Sequence, residues 1–281
     1  MKVEITHFAP KLGLEFKEKS LDLSTPKVMA ILNATPDSFY AASRFDSESK
    51  IMGQIEKFIN DGADLIDIGG VSSRPGSKTI DASKEADRIL TSVERIVNEF
   101  PEALVSIDTF RSSVAKEALE LGAFMINDIS GGTFDPHMID LIASQNVPYV
   151  AMHLQGSMET MHQAYEYEDI TQSVIDFFFV RLKQLKDKGA SQVIIDPGFG
   201  FSKNIEQNYE LLENLERLNE LNQPILVGLS RKSMIYKKLG ITPEESLHGT
   251  IALNAITLKK GAALLRVHDV KEAKQLIDLV S

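Results

Sequence analysis

The stretch Val193–Lys203 carries the residues best suited to chemistry. Its three β-branched residues, Val193 to Ile195, predict a short buried strand of a parallel sheet. Asp196 follows where Pro197 and Gly198 end the strand, and two phenylalanines alternate with glycines after it. A carboxylate fixed at the end of a rigid strand, beside glycines and aromatic faces, suits a flat, nitrogen-rich ligand. Taken alone, the segment is explained equally well as a capped structural turn.

Polar residues also follow the other predicted strands. In chain order they are Asn33, Asp67, Asp108, Asn127 with Asp128, His153, Asp196, Ser230 to Lys232, and Arg266 with His268. Any single one is more often a structural cap than a catalyst. In an α/β barrel, however, the carboxyl ends of all strands meet at one mouth. The complete set therefore favours a functional site at that mouth.

The donors and acceptors in this set fit the edge of an aminopyrimidinone ring, as found in pterins and guanines. Asp196, Asn127 and Asp108 offer carboxylate and amide groups. A carboxylate can accept two parallel N–H bonds from an amidine-like edge. Lys232 supplies a point-charge donor, and Arg266 has a planar guanidinium that can stack on a ring.

A second cluster, Ser72 to Gly76, is suited to binding a phosphate group. It is a short polar loop with one arginine, Arg74, which could clamp an anion. An exposed arginine on a Pro-Gly turn explains the same residues equally well. His268 lies two residues beyond Arg266 and could serve the same anion, or it could be structural.

Strands and helices alternate along the chain from Lys27 onwards. The predicted strands are Val28–Leu32, Leu65–Ile68, Leu104–Ile107, Phe124–Ile126, Tyr149–Met152, Val193–Ile195, Ile225–Val227 and Ala263–Val267. Amphipathic helices are predicted between them. One has apolar residues at helical spacing from Ala86 to Val97, and another carries Leu211, Leu215 and Leu218.

Repeated Gly-Ala pairs separate helical stretches from the strands that follow. These pairs begin at Gly62, Gly122, Gly189 and Gly261, and glycine there can adopt the left-handed conformation that ends a helix. Together with the eight strands, they predict an α/β fold, a (β/α)8 TIM barrel over residues 27–281. Alternating apolar residues around Gly13 predict a β-hairpin within residues 1–24, ahead of the barrel. We expect a single domain over residues 1–281, with an open doubly wound sheet as the less favoured alternative, because no Gly-x-Gly-x-x-Gly follows the first strand.

Composition excludes several classes of function. The net charge of −10 argues against nonspecific binding of nucleic acid or of an anionic membrane. The chain has no cysteine, which excludes disulfides, thiolate nucleophiles and cysteine metal sites. Its first residues lack the apolar core of a signal peptide, and no apolar run approaches a membrane span. A soluble cytoplasmic protein is expected.

In their order and spacing, the motifs resemble those of the dihydropteroate synthase family from about Lys27 to the C-terminus. The matching segments are Ile31–Phe39, Gly62–Gly70, Ser72–Gly76, Ser106–Thr109, Ile126–Asp128, Met152-His153, Asp196–Phe201, Gly228–Ser233 and Arg266–Val270. Each motif is weak to moderate alone, and the ordered set is highly specific. The resemblance implies a transferase that joins 6-hydroxymethyl-7,8-dihydropterin pyrophosphate to 4-aminobenzoate, giving 7,8-dihydropteroate and pyrophosphate for folate biosynthesis.

The resemblance also implies roles for individual residues. The pterin would be held by Asp108, Asn127, Met152, Asp196, Gly228, Lys232 and Arg266, the last stacked on the ring. The aminobenzoate site, where sulfonamides would compete, would comprise Ser73, Pro75, Phe201, Lys232 and Ser233. Pyrophosphate would be bound by Asn33, Arg74, Arg266 and His268, with Asn33 ligating Mg²⁺. The catalytic set would be Asp108, Arg74, Lys232, Arg266 and His268, in a protein that forms a homodimer.

The chain departs from the family pattern at a few positions. In the first long loop, Tyr40–Ser43 replaces a stretch that usually contains an aspartate and two glycines, which predicts a stiffer loop. Val71 stands where glutamate is usual, and Ser73 stands for threonine. Two alternatives stay open: a pterin-binding methyltetrahydrofolate:corrinoid methyltransferase, and a non-catalytic pterin-binding paralogue.

Overall fold

A computed structural model describes residues 12–33, 44–70 and 80–280, without the side chains of residues 44–49. It begins with an antiparallel hairpin of β1 (Gly13–Phe16) and β2 (Lys19–Asp22). The predicted hairpin is therefore confirmed. Its turn lies at Lys17 and Glu18, and Gly13 opens the first strand.

Eight parallel strands close into a barrel. They are β3 (Lys27–Asn33), β4 (Leu65–Gly69), β5 (Val105–Asp108), β6 (Met125–Asp128), β7 (Tyr149–Met152), β8 (Val193–Asp196), β9 (Ile225–Val227) and β10 (Ala262–Val267). Each strand pairs with the next in the chain, and β10 returns to pair with β3. The (β/α)8 barrel predicted from the sequence is confirmed.

Helices surround the barrel and cover its outer face. Those described are α1 (Arg44–Asn60), α2 (Ala82–Glu99), α3 (Ser112–Leu121), α4 (Met138–Gln145), α5 (Ile170–Lys188), α6 (Ile205–Glu213), α7 (Ser233–Leu239), α8 (Leu247–Lys259) and α9 (Val270–Val280). Within the described ranges, no helix is both long enough and apolar enough to cross a bilayer.

The prediction of one helix carrying Leu211, Leu215 and Leu218 is wrong, because the structure divides this stretch into two helices. The α-helix ends at Glu213, and a 3₁₀ helix runs from Leu215 to Leu221. Asn214 lies between the two, outside the α region. Its side chain donates to the Glu210 carbonyl at 2.9 Å, an example of a local bond that competes with the helical backbone.

The glycines of the four Gly-Ala pairs all adopt the conformation that the sequence predicts. Their φ angles are 91° at Gly62, 111° at Gly122, 100° at Gly189 and 99° at Gly261. A side chain disfavours this left-handed region, and glycine does not. The four residues therefore act as equivalent helix-to-strand joints.

The half of the barrel interior nearer the N-terminal ends of the strands, here called the lower half, is apolar. Successive side chains of a strand alternate between faces, and a barrel of this type fills its interior with layers from alternate strands. Strand register gives a first layer of Leu65, Met125, Ile194 and Leu264, and a second of Met29, Ser106, Val150 and Leu226. All except Ser106 belong to one buried cluster.

The hairpin closes this apolar end. Leu14, Leu21 and Leu23 are buried in the same cluster as the two layers above them. The Gln192 side chain donates to the Glu15 carbonyl at 2.8 Å and accepts from the Glu15 amide at 2.7 Å. The N-terminal end is thereby filled, which leaves the carboxyl end of the strands for a site.

Two glycine substitutions should have opposite effects on stability. Gly189→Ala places a side chain at a φ of 100° with no atom within 4 Å of the new Cβ, so the cost is backbone strain of about 1 kcal/mol. Gly53→Ala, in the interior of α1 and equally free of neighbours, should gain about 1 kcal/mol from helix propensity. Urea unfolding of both variants measures the two changes in stability. A stabilising effect of Gly189→Ala would contradict the role of Gly189 as a helix-to-strand joint.

Candidate active site

Two polar layers lie above the apolar ones. Stepping two residues along each strand gives a third layer of Asp67, Asn127, Asp196 and Arg266, from β4, β6, β8 and β10. The fourth layer consists of Ile31, Asp108 and Met152, from β3, β5 and β7, and of Gly228, which directly follows β9. We call these two the upper layers. They bring together six of the residues predicted to contact one ligand.

Arg266 links the two upper layers through a pair of carboxylates. Its Nε donates to Asp67 Oδ2 at 2.6 Å, and a terminal nitrogen donates to Asp108 Oδ2 at 2.7 Å. The Asn127 amide donates to the same Asp67 oxygen at 2.9 Å. Burial alone would lower the pKa of Arg266, but the two carboxylates outweigh it and raise that pKa. Arg266 is therefore a permanent cation.

Its surroundings make the Asp108 carboxyl easier to protonate than an ordinary aspartate. Burial raises the pKa of Asp108 to about 7; Arg266 opposes the rise, and three neighbouring carboxylates, that of Asp67 foremost, add to it. Its side chain is 16% exposed, so it still faces the mouth of the barrel. In its ionised form this carboxylate can stabilise positive charge that develops beside it.

The turn after β8 folds tightly against the end of β7. The Gly198 amide donates to Asp196 Oδ1 at 2.8 Å, and Gly198 has a φ of 71°. A Cβ at Gly198 would lie 2.1 Å from the His153 carbonyl oxygen. Glycine has no Cβ and therefore avoids this clash. Burial raises the pKa of Asp196, and Lys232 opposes that rise.

Lys203 braces this turn from inside. Its ammonium contacts the carbonyl oxygens of Gly198 at 3.0 Å and Phe201 at 3.1 Å, and His153 Nδ1 at 3.0 Å. Burial lowers the pKa of Lys203 to about 7. Burial, with the Lys203 charge, also holds the pKa of His153 well below its ordinary value. His153 is thus a neutral acceptor, and the sequence-predicted strand-end histidine serves the turn.

Lys232 belongs to the same site although it lies on the loop before α7. Its ammonium donates to the Phe199 carbonyl and lies 4.6 Å from the centroid of the Phe201 ring. Burial lowers the pKa of Lys232 to about 8, and Asp196 opposes the shift. Arg266 also acts on Lys232 electrostatically, so the lysine and the upper layers share one mouth.

The walls of the site are apolar on one side. Met152 and Phe201 form a buried cluster with Ile129, Leu154 and Met161. Ser233, predicted for the aminobenzoate site, follows Lys232 and begins α7. His268 Nδ1 lies 3.0 Å from Ser230 Oγ.

Arg231, unlike its neighbour Lys232, is committed elsewhere. It forms an ion pair with Asp269 at 2.8 Å, and it donates to the carbonyls of Pro243 and Glu244. Of the strand-end residues Ser230 to Lys232, only the first and last therefore remain with the site.

Asn33 ends β3 at the same edge of the barrel. It pairs in register with Gly69, which in turn pairs with Asp108. The Asn33 side chain forms no hydrogen bond with another residue in the described part of the chain. The predicted loop residues Ser73, Arg74 and Pro75 lie outside the described residues, as do Tyr40–Ser43 and Val71.

Two residues of the site had no role assigned from the sequence. Asp67 is predicted only as a strand-end polar residue, and the structure places it inside β4, fully buried. Its position two residues after Leu65 matches that of Asn127 after Met125, and this periodicity could have revealed it. Lys203 carries no comparable signal, because a lysine after a glycine-rich turn is usually solvated.

Comparison with known proteins gives a consistent result. Residues 29–268 match the family described as "Pterin binding enzyme". The dihydropteroate synthase of Escherichia coli K12 is 39% identical over 263 residues, which cover 93% of this chain and 93% of that protein.

Solved structures of dihydropteroate synthases share the fold. That of Xanthomonas albilineans with 4-aminobenzoic acid has a TM-score of 0.89 and 35% identity, covering 95% of this chain and 96% of that one. The complex of the Xanthomonas albilineans enzyme with 7,8-dihydropteroate has a TM-score of 0.86 and 34% identity, and the match covers 95% of this chain and 97% of that one. The Yersinia pestis enzyme in a sulfonamide drug complex has a TM-score of 0.88 and 36% identity, and the match covers 95% of this chain and 98% of that one.

The buried Lys203 should leave a signature in the pH dependence of stability. Its pKa is about 7 in the folded chain and 10.5 ordinarily, so the unfolded state binds more protons between these values. The free energy of unfolding therefore rises with pH in that window. Lys203→Met should flatten this rise by up to ~1.4 kcal/mol per pH unit.

Urea unfolding at several pH values from neutral to mildly alkaline measures the slope. Lys237→Met, at an exposed lysine of α7, is the matched control and should keep the wild-type slope. An unchanged slope in Lys203→Met would show that Lys203 does not titrate in this window.

Proposed function

The chain belongs to the pterin-binding enzymes and, within them, to the dihydropteroate synthases, and from this membership we propose how its own residues divide the reaction. The reaction joins 6-hydroxymethyl-7,8-dihydropterin pyrophosphate to 4-aminobenzoate and releases pyrophosphate. In this proposal six residues of the upper layers hold the pterin ring: Asp108, Asn127, Met152, Asp196, Gly228 and Arg266. Lys232, Phe201 and Ser233 lie beside the aminobenzoate, and Asn33, Arg266 and His268 face the pyrophosphate, together with Arg74.

The observation that carries the proposal is the convergence of hydrogen-bond acceptors around two cations. One oxygen each of Asp108, Asn127 and Asp196 accepts no hydrogen bond from any described residue. These oxygens share a mouth with Arg266 and Lys232. A dihydropterin offers several N–H donors on one flat ring, which such an acceptor set can satisfy.

The chemistry follows from the weakness of the nucleophile. The aniline nitrogen of aminobenzoate attacks poorly, so the bond between the pterin methylene and the pyrophosphate oxygen must be largely broken first. Positive charge then spreads into the electron-rich dihydropterin, where the Asp108 carboxylate stabilises it. Arg266 stabilises the negative charge on pyrophosphate. The nitrogen forms the new C–N bond and loses a proton to the released pyrophosphate or to water, and no covalent enzyme intermediate is needed.

Asn33 has the chemistry of a magnesium ligand. Mg²⁺ prefers oxygen ligands and usually takes one or two from the protein, with substrate phosphates and water supplying the others. The described residues contain no group of three acidic or histidine side chains that could cage a metal ion. A single amide oxygen at the strand end fits a metal held mainly by pyrophosphate. Bound there, Mg²⁺ would neutralise charge on the leaving group.

Three further expectations concern the protein's location, its inhibition by sulfonamides and the alternative methyltransferase function. We propose a cytoplasmic location, which fits a chain without cysteine and with a net charge of −10. Sulfonamides should compete at the aminobenzoate site, as a relative solved with such a drug suggests. The methyltransferase alternative is less favoured, because the relatives compared are dihydropteroate synthases.

The direct test is a turnover assay with dihydropterin pyrophosphate and 4-aminobenzoate. Pyrophosphate release should require both substrates and Mg²⁺, and it should yield dihydropteroate in equal amount. A corrinoid methyltransferase would release no pyrophosphate, and a non-catalytic binder would show affinity for pterin without turnover. Either result would overturn the proposed function.

Asp196→Asn should weaken binding of the pterin ring. The change removes a charged acceptor from the upper layers, which should cost about 1–3 kcal/mol of binding free energy. Calorimetric titration with 6-hydroxymethyl-7,8-dihydropterin measures the loss. Asp187→Asn, at an exposed site on α5, is the control and should bind as the wild type does. Unchanged affinity of Asp196→Asn would remove Asp196 from the pocket.

An apolar surface on α7 and α8 supports the predicted homodimer. Leu239 is 59% exposed and Ile256 is 43% exposed. Gly249, Ala252 and Ile256 follow one another on one face of α8, and Leu239 lies close to Gly249. The same helix buries the polar residues Thr250, Asn254 and Thr257. We propose that a second copy of the chain covers this face through a two-fold contact.

Light scattering coupled to gel filtration tests the dimer. The wild type should show twice the 31.2 kDa mass of one chain, and Ile256→Glu should shift the protein to monomer by placing charge in the contact. Leu279→Glu, at an 83% exposed residue of α9, is the control and should remain dimeric. A monomeric wild type would contradict the proposal.

A further inference from the structure

Asp67 completes the third layer, yet the reaction derived above gives it no role. Its side chain is fully buried, and Oδ2 accepts hydrogen bonds from both Arg266 and Asn127. Its other oxygen is buried without a hydrogen-bond partner in the described part of the chain. Leaving such an atom unpaired destabilises the fold, and an apolar residue of similar volume often serves stability as well or better. Stability alone therefore does not explain this carboxylate.

The contact with Asp67 fixes which way the Asn127 amide points. A carboxylate paired with an arginine only accepts hydrogen bonds. Asn127 must therefore meet Asp67 through its NH₂ group, as the 2.9 Å contact shows. The opposite orientation would place two acceptor oxygens against each other. The Asn127 carbonyl oxygen is consequently the atom left for a ligand, beside Asp108, its partner in register.

Asp67 also fixes the plane of the Arg266 guanidinium. That group is anchored at two points, through Nε to Asp67 on β4 and through a terminal nitrogen to Asp108 on β5. A planar fork bound at two points cannot rotate about either bond. With Asp67 removed, a single anchor to Asp108 would remain, and the guanidinium could turn. Asp67 thus contacts both an acceptor and a cation of the site.

We propose that Asp67 is a positioning residue for the pterin site: it turns the Asn127 carbonyl towards the ring and holds the Arg266 guanidinium flat beside it. The inference rests on the proposed function for the identity of the ligand. It adds a determinant of affinity that acts entirely through two other side chains. Neutralising Arg266 does not by itself require Asp67, because Asp108 already pairs with that arginine.

A double-mutant cycle tests the coupling. Asp67→Leu keeps the branching of the side chain and removes both acceptors, and Asn127→Ala removes the amide that Asp67 orients. Each single variant and the double variant are titrated calorimetrically with 6-hydroxymethyl-7,8-dihydropterin, with folding checked by thermal denaturation. Asp67→Leu should weaken binding about 10- to 100-fold in the wild-type background. In the Asn127→Ala background the same change should cost at least fivefold less, because part of its effect passes through that amide.

Two further variants separate positioning from packing. Asp67→Asn can still accept both hydrogen bonds through its amide oxygen, so it should bind within about fivefold of the wild type. Ser106→Ala alters a buried residue of the layer beneath, whose hydroxyl lacks a partner among the described residues, and it should bind as the wild type does. If Asp67→Leu does not fold, Asp67→Ala enters the same cycle.

Losses that simply multiply in the double variant would overturn the inference, as would full affinity in Asp67→Leu. A loss in Ser106→Ala equal to that in Asp67→Leu would assign the effect to packing and would also overturn it. The proposed function fails in a different way. A wild-type protein that binds the pterin but forms no dihydropteroate would refute the reaction, while the binding cycle would still decide the role of Asp67.

Discussion

The ionic bridge from Asp67 through Arg266 to Asp108 is the interaction on which the site depends. A guanidinium inside a barrel is expensive to desolvate unless carboxylates match it and its N–H groups are bonded. Here two neighbouring strands supply the carboxylates at 2.6 and 2.7 Å. The bridge ties the two upper layers together; burial raises the pKa of Asp108, and the Arg266 charge opposes that rise. The same contact therefore holds the site in shape and offsets part of the cost of burying the Asp108 charge.

The barrel interior between the bridge and the N-terminal hairpin is buried and almost entirely apolar. Two layers made almost entirely of apolar side chains, and a hairpin packed under them, fill the N-terminal half. Charges next to these apolar layers interact more strongly than they would in water, because the effective dielectric constant is lower there. The turn after β8 adds a second cationic group, Lys232, which is held against the Phe199 carbonyl, while the buried Lys203 fastens the turn itself. Candidate binding groups from distant parts of the chain are thus held in one arrangement by contacts within the protein.

The sequence predicts the barrel well because each strand is a short apolar run and each joint is marked by glycine. It also predicts which polar residues follow the strands. It does not show how those residues are connected. The role of Asp67 depends on which side chains face each other across the barrel, and that of Lys203 on a turn folding back over it. A local side-chain bond at Asn214 likewise divides a helix whose apolar spacing is continuous.

A crystal structure with 6-hydroxymethyl-7,8-dihydropterin bound would test the central claim most directly. We predict one ring within hydrogen-bond distance of Asp108, Asn127 and Asp196, with the face of Arg266 against it and the bond to Asp67 intact. A ring bound away from these residues would contradict the claim. So would an Arg266 released from both carboxylates to bond the edge of the ring.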